Sequence, residues 1–200
     1  MNNYSIVIIS NDHNTILRET LPELLSQQYD AEYEVIVVRE TRRGDIKDLL
    51  ETLYENYPRL RSTYLPDKPQ YVTNEEVEIL LGVKAAKYPD IIMVAPDFMP
   101  YGETWLNECA AAIEEEGLTT ERPLILADAH THDASFFHRR SHANELKRVL
   151  KPWCKLKGIK SKTLRLPKDQ RQLFSIAFRR EDYINDMPLR DVIYRQMRNP

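Results

Sequence analysis

The chain of 200 residues contains little cysteine and little glycine. Its two cysteines, Cys109 and Cys154, make neither a disulfide framework nor a zinc signature, and this usage is typical of a reducing cytoplasm. Its five glycines form no phosphate-cradling loop of the P-loop or dinucleotide-binding kind. No apolar run approaches the length of about 18 residues that indicates a membrane-spanning helix. The polar start at Met1 lacks the regions of a signal peptide, so the sequence predicts a cytoplasmic protein.

What the chain does contain is an ordinary globular composition with an uneven charge distribution. Hydrophobic residues make up 42% and charged residues 30%, which excludes collagen, a coiled coil and a wholly disordered chain. Residues 1–137 carry 11 lysines and arginines against 25 acids, whereas residues 138–200 carry 17 against 6. The basic part could attract an anionic partner, or the two parts could attract each other. Composition alone leaves both interpretations open.

Apolar patterns predict strands and helices that alternate up to residue 127. Strands are predicted over residues 4–10, 34–38, 62–65, 91–94 and 124–127, and helices over 17–28, 46–57, 75–87 and 105–115. Such alternation with short connections is typical of the α/β class, with a doubly wound, mostly parallel sheet flanked by helices. Ligands bind outside the carboxyl ends of such strands. The residues at those ends are 10–12, 39–40 and 95–97.

Four segments of the chain resemble family 2 glycosyltransferases, which have the GT-A fold. They are the first strand at 5–10, the helix end and second strand at 24–38, the segment 82–94, and residues 173–181. In the last of these, an aromatic residue precedes two arginines, as in the acceptor-side strand of the family. The resemblance is good over 4–110 and loose over 170–195, and is strongest to bacterial members with a membrane-bound acceptor. It implies one GT-A-like domain over 1–200, with a Rossmann-like nucleotide-sugar-binding half at 1–127 and a basic acceptor-side half at 128–200.

The resemblance also implies an activity and a set of site residues. Such an enzyme moves a sugar, with inversion, from a nucleoside diphosphate sugar to a glycan or lipid-linked acceptor. Mg²⁺ or Mn²⁺ on carboxylates neutralises the leaving diphosphate, and a carboxylate base deprotonates the acceptor. Asp97 matches the second aspartate of the metal motif, and Asp191 can be laid on the catalytic base. Asp12 and Glu40 match positions that contact the nucleoside.

Several positions depart from the family pattern. Ala95 replaces the first aspartate of the metal motif, Arg39 reverses the charge beside Glu40, and Arg190 replaces the acidic partner of the base. Acids at 75, 76 and 78 stand where basic residues are common, and we expect them to face solvent at a helix start. These losses favour an alternative, a non-catalytic GT-A-like protein that binds a partner enzyme, a glycan or a membrane. In the corresponding alternative for the candidate acids, Asp97 merely caps a turn and the other three are ordinary exposed residues.

The most basic segment of the chain is residues 138–171. It holds 12 lysines and arginines and two acids, and its apolar residues recur at helical spacing up to Trp153. A basic amphipathic helix of this kind suits peripheral contact with an anionic membrane at its inner face. Alternatively, the helix packs on the sheet with a solvated basic face. Nucleic-acid binding is disfavoured, because Trp153 alone makes no stacking platform.

Four of the five histidines fall within 13 residues of one another. They are His130, His132, His138 and His142. Two of them are four residues apart, a spacing that places both on one helix face and suits a transition metal. The alternative is an ordinary loop on the acceptor side, since no cysteine or suitably spaced acid accompanies them.

Overall fold

The computed structural model describes residues 1–10, 14–39, 45–65, 74–94, 98–100, 102–116, 124–128, 162–165 and 173–186. The strands in these ranges are β1 (Tyr4–Ser10), β2 (Tyr33–Arg39), β3 (Leu60–Tyr64), β4 (Asp90–Val94), β5 (Leu124–Asp128), β6 (Lys162–Arg165) and β7 (Leu173–Arg179). The helices are α1 (Asn14–Leu25), α2 (Asp45–Tyr54), α3 (Asn74–Ala85), α4 (Trp105–Glu116) and α5 (Arg180–Asp186).

The strands form one sheet in the order β3-β2-β1-β4-β7-β5-β6. β1 pairs in parallel with β2 and β4, β2 with β3, and β5 with β6, whereas β7 runs antiparallel between β4 and β5. The predicted α/β class with a mostly parallel sheet is therefore confirmed. The chain builds outward from β1 to β3 and then places β4 on the other side of β1. The strand order therefore reverses between β1 and β4, and this place is the switch point of the sheet.

Most predicted elements agree with the structure to within a few residues. Two differences lie in the carboxyl-terminal part. β6 has no counterpart among the predicted strands, and β7 ends at Arg179, so the helix α5 already includes Glu181. The predicted basic helix near 143–153 lies outside the described residues.

Alternate residues of the central strands face opposite layers of helices. Ile6 and Ile8 of β1 belong to a core cluster with Leu17 of α1, Leu50 of α2 and Trp105 of α4. The intervening residues of β1 and β2 belong to a second cluster, which contains α3 and Tyr183 of α5. Nearly continuous apolar strands therefore sit between two helical layers.

The helix α3 packs closely on the sheet at Gly82. A Cβ atom at this position would lie 2.5 Å from Cγ1 of Val7 and 2.8 Å from Cγ2 of Val38. Both valines are buried, and a β-branched side chain has few alternative rotamers. Glycine is therefore required here by the close approach of the helix to β1 and β2.

We expect Gly82→Ala to lower the free energy of unfolding by up to about 2 kcal/mol. Overpacking costs about 1–3 kcal/mol, and the better helix propensity of alanine returns about 1 kcal/mol. Urea denaturation measures the difference. Gly102→Ala is the matched control, because a Cβ there meets no atom within 4 Å. Equal stability of the two variants would contradict the packing argument.

Candidate functional site

The amino end of the sheet, where the parallel strands β1–β4 begin, holds a closed polar network around Glu34. Its Oε1 accepts hydrogen bonds from Ser5 Oγ at 2.6 Å and from the backbone N–H of Lys87 at 2.5 Å. Its Oε2 accepts from Arg61 Nη1 at 2.8 Å. Ser5 Oγ in turn accepts from the backbone N–H of Tyr88 at 3.1 Å. Both carboxylate oxygens are thus satisfied by donors of the protein itself.

Asp90 is a second buried acid at the amino end of the sheet. It is 6% exposed, and its Oδ2 accepts a hydrogen bond from Asn2 Nδ2 at 3.0 Å. Burial raises the pKa of this carboxyl, and the nearby Arg179 and the bond from Asn2 oppose the rise. Arg179 is also the register partner of Asp90 across β4 and β7.

The aromatic-Arg-Arg run of the sequence lies at this same end. Because β7 is antiparallel, its last residues pair with the beginning of β4. Arg180 donates to the backbone carbonyls of Val83 at 3.2 Å and Lys84 at 3.3 Å, near the end of α3. The two arginines therefore stabilise the fold at the amino end. They lie at the opposite end of the sheet from the carboxyl ends of β1–β4.

The carboxyl end of the sheet, where β1–β4 finish, presents a row of polar side chains in register. Ser10 pairs with Arg39, and Arg39 pairs with Tyr64. By the alternation of each strand, all three face the layer of α1, α2 and α4. The guanidinium carbon of Arg39 lies 5.9 Å from the centroid of the Tyr64 ring, which is within the range of a cation–π contact. Tyr64 itself is 37% exposed.

Two buried donors in this row have no hydrogen-bond partner among the described residues. They are the hydroxyl of Ser10, a residue that is 1% exposed, and Nε of Arg39. An unpaired buried donor costs about 1–3 kcal/mol. The other unpartnered buried polar atoms among the described residues, the donors on Thr20 and Trp105 and the acceptor Oδ1 of Asn107, belong to helices. The strand ends of β1 and β2 therefore form the candidate site, at the position where α/β sheets bind ligands.

The four acids assigned from the sequence, Asp12, Glu40, Asp97 and Asp191, lie outside the described residues. Their roles stay predictions, as does metal binding by the histidines at 130–142. Within the described ranges, no group of three or more histidines, cysteines and acids is arranged to hold a metal ion.

Sequence reasoning placed Ser10 and Arg39 at strand exits but assigned the site to their acidic neighbours. The sequence signal was their position at the end of an apolar run. The burial of Ser10 Oγ and Arg39 Nε and their unmet hydrogen bonds arise only in the folded sheet, and no local sequence pattern indicates them. In the sequence, Arg39 stands where the family usually has an acid. That replacement was interpreted only as the loss of an acid from the site and not as a possible ligand-binding group.

The sequence predicted that the acids at positions 75, 76 and 78, at the start of α3, face solvent. Positions 75 and 76 lie in the first turn of α3, and their side chains are outside the described set. Glu78, however, is 2% exposed, so the prediction was wrong for this residue. It stands four residues before Gly82 and therefore shares the helix face that packs against the sheet.

Across the described ranges, we find no helix with the length and apolar character needed to cross a membrane.

Solved structures resemble this fold. Two crystal structures of S. aureus TarS 1-349, one in complex with UDP-GlcNAc, match with a TM-score of 0.51 and 19% identity, covering 68% of this chain and 38–39% of theirs. The mannosyltransferase PcManGT from Pyrobaculum calidifontis, in complex with GDP-Man and Mn²⁺, matches with a TM-score of 0.56 and 13% identity. That match covers 94% of this chain and 47% of PcManGT. This chain thus spans less than half the length of these proteins.

At such identities, the likeness establishes the fold, which is GT-A-like. No protein-family model matches the chain, and no curated protein matches it by sequence.

We expect Asp90→Asn to gain stability relative to the wild type as the pH rises from about 4 to 7. The raised pKa means that the folded state binds the proton of Asp90 more tightly than the unfolded state. Below the unfolded pKa of about 3.9, both states are protonated and burial of the acid carries no penalty. The stability due to this proton is lost as the pH rises through the folded pKa. The amide variant is neutral at every pH and keeps an acceptor for Asn2.

Urea denaturation of both proteins across this pH range measures the effect. Asp30→Asn, in an exposed turn, controls for the loss of one carboxylate. A constant difference between Asp90→Asn and the wild type would contradict the assignment.

Proposed function

We propose that this chain is a glycosyltransferase that moves a sugar from a nucleoside diphosphate sugar to a glycan or lipid-linked acceptor. The observation that carries the proposal is the pair of unpartnered buried donors, Ser10 Oγ and Arg39 Nε, at the carboxyl end of a GT-A-like sheet. They lie on the first two strands of a βαβαβ unit, the arrangement that binds mononucleotides in α/β folds. The fold neighbours in complex with UDP-GlcNAc and with GDP-Man support a nucleotide-sugar donor.

The proposal assigns a metal ion to the end of β4, next to the switch point. Asp97 would hold Mg²⁺ or Mn²⁺, and the bound ion would neutralise the leaving diphosphate. The residues on either side in the sequence fit this role. Val94 and Phe98 are both buried, so the chain is anchored before and after Asp97. A single carboxylate suffices for Mg²⁺, which usually keeps several waters and phosphate oxygens as ligands.

The remaining acids complete the proposed site. Asp12 follows β1 and Glu40 follows β2, so both come directly after the strands that carry the unpartnered donors. Their carboxylates would accept hydrogen bonds from the nucleoside. Asp191 would act as the base that deprotonates the acceptor hydroxyl. An inverting single displacement follows from such a base.

The acceptor is proposed to approach the basic half of the chain. Residues 138–171 carry 12 lysines and arginines and two acids, and a lipid-linked acceptor would place an anionic surface beside them. In this proposal the protein is a peripheral enzyme at the inner membrane face, where each basic residue near the surface contributes about 1 kcal/mol.

A second candidate function is a non-catalytic protein that keeps the donor fold to bind a partner enzyme, a glycan or a membrane. Two observations favour it. Ala95 stands where the metal motif of relatives has its first aspartate, and Arg39 stands where an acid is usual. The same fold then serves recognition without turnover.

We expect Asp97→Ala to weaken the binding of UDP-GlcNAc or GDP-Man at least about 10-fold in the presence of Mn²⁺, which corresponds to about 1.4 kcal/mol. The loss follows because the metal would be left without its protein carboxylate. Isothermal titration calorimetry measures the affinity, and in EDTA the variant and the wild type should bind alike. Asp30→Ala removes an exposed carboxylate elsewhere and is the matched control. A wild type that binds neither donor nor nucleotide with either metal would overturn the proposed function.

Asp191→Asn is expected to lower sugar transfer by about 10²–10⁴-fold and to leave donor affinity unchanged, because a general base acts on the acceptor. Release of nucleoside diphosphate, with free and lipid-linked glycans as acceptors, measures the rate. Glu181→Gln, an exposed acid on α5, is the control. If the wild type binds donor but turns over none of it, the non-catalytic function is the correct one.

A further inference from the structure

The position of Arg39 in the sheet fixes which part of a nucleotide it can meet. In a βαβαβ unit the phosphates lie at the switch point of the strand order, and the nucleoside extends over the second strand. The switch point here lies between β1 and β4. Arg39 ends β2, which is separated from β4 by the whole width of β1.

The guanidinium of Arg39 is turned further away from the switch point. Its central carbon lies over the ring of Tyr64, and Tyr64 belongs to β3, on the far side of β2. A side chain that served the diphosphate would extend the other way, toward β1. The contact with Tyr64 therefore places the guanidinium on the nucleoside side and holds it there.

The chemistry of the guanidinium determines which base it accepts. Arginine only donates, and its Nε–H and one Nη–H form a rigid planar fork of two adjacent donors. Nε is buried and unpartnered among the described residues, so this edge lacks an acceptor. The matching base edge carries two adjacent acceptors. Guanine offers O6 and N7, and cytosine offers N3 and O2. Uracil places the N3–H donor between its two oxygens, and adenine places an amino group beside N7.

We infer that Arg39, positioned by Tyr64, reads the nucleobase of the donor and selects a base with two adjacent acceptors, guanine or cytosine, over uracil and adenine. The inference rests on the proposed function, since it concerns the nucleotide of the same site. The hydroxyl of Ser10, on the neighbouring strand in the same row, supplies a further donor toward the ligand.

The test compares the affinities of GDP, CDP, UDP and ADP with Mg²⁺ by isothermal titration calorimetry. The wild type is expected to bind GDP or CDP on the order of 10- to 100-fold more tightly than UDP, and the GDP and CDP arms identify the base. Arg39→Met should bring this ratio to within about threefold. Arg39→Lys should do the same, because lysine keeps the charge but lacks the planar fork.

A matched control variant exists at the other end of the sheet. Arg59 lies over the ring of Tyr33 at 4.3 Å, a similar cation–π contact beside the start of β2. Arg59→Met should leave the nucleotide preference unchanged. Thermal unfolding of each variant verifies that it is folded. If Arg39→Met does not fold, Arg39→Lys serves as the test variant.

The outcomes separate this inference from the proposed function. A wild type that binds none of the four nucleotides overturns the proposed function and the inference with it. Binding with a preference for UDP or ADP overturns the inference alone. An equal loss of affinity for all four nucleotides in Arg39→Met also overturns it, since Arg39 would then contact the shared diphosphate. Full preference retained by Arg39→Lys would show that charge suffices, and it too would overturn the inference.

Discussion

The carboxylate of Glu34 is the interaction on which the rest of the sheet depends. Its two oxygens receive donors from β1, from β3 and from the turn before β4, so one side chain of β2 joins four consecutive parts of the sheet. A buried carboxylate is tolerated only when it is paired and hydrogen-bonded. The network therefore defines how these strands align at their amino ends. The same register extends to the carboxyl ends of the strands. There it places Ser10, Arg39 and Tyr64 side by side in one row.

The two ends of the sheet differ in how their polar groups are satisfied. At the amino end, Glu34 and Asp90 find their partners within the protein, and Arg180 caps the carbonyls of α3. At the carboxyl end, Ser10 and Arg39 keep donors without a partner among the described residues. The satisfied polar network and the candidate site thus lie at opposite ends of the sheet. The arginine run at 179–180 belongs to the end whose polar groups are satisfied within the protein.

Much of the fold could be predicted from the sequence, because apolar strands and amphipathic helices are local patterns. The elements from β1 to β5 follow from that periodicity, and their order implies a parallel sheet. The antiparallel insertion of β7 could not be predicted in this way, since it depends on a partner strand far away in the chain. The candidate site was predicted in part. Strand exits led to Ser10 and Arg39, but the burial of Glu78 and the need for Gly82 arise from how α3 lies on the sheet.

The position of β7 also governs the order in which the chain can fold. It completes the sheet by pairing Ser175 with Val94, residues that are separated by roughly 80 positions, whereas the parallel pairs of β1 to β3 join neighbours in sequence. Until β7 docks, β4 is an exposed edge strand with the apolar run Ile91–Val94. Unpaired apolar edges of this kind promote aggregation. During synthesis, the part of the sheet from β1 to β4 therefore carries an open edge until the strand from Leu173 to Arg179 emerges and closes it.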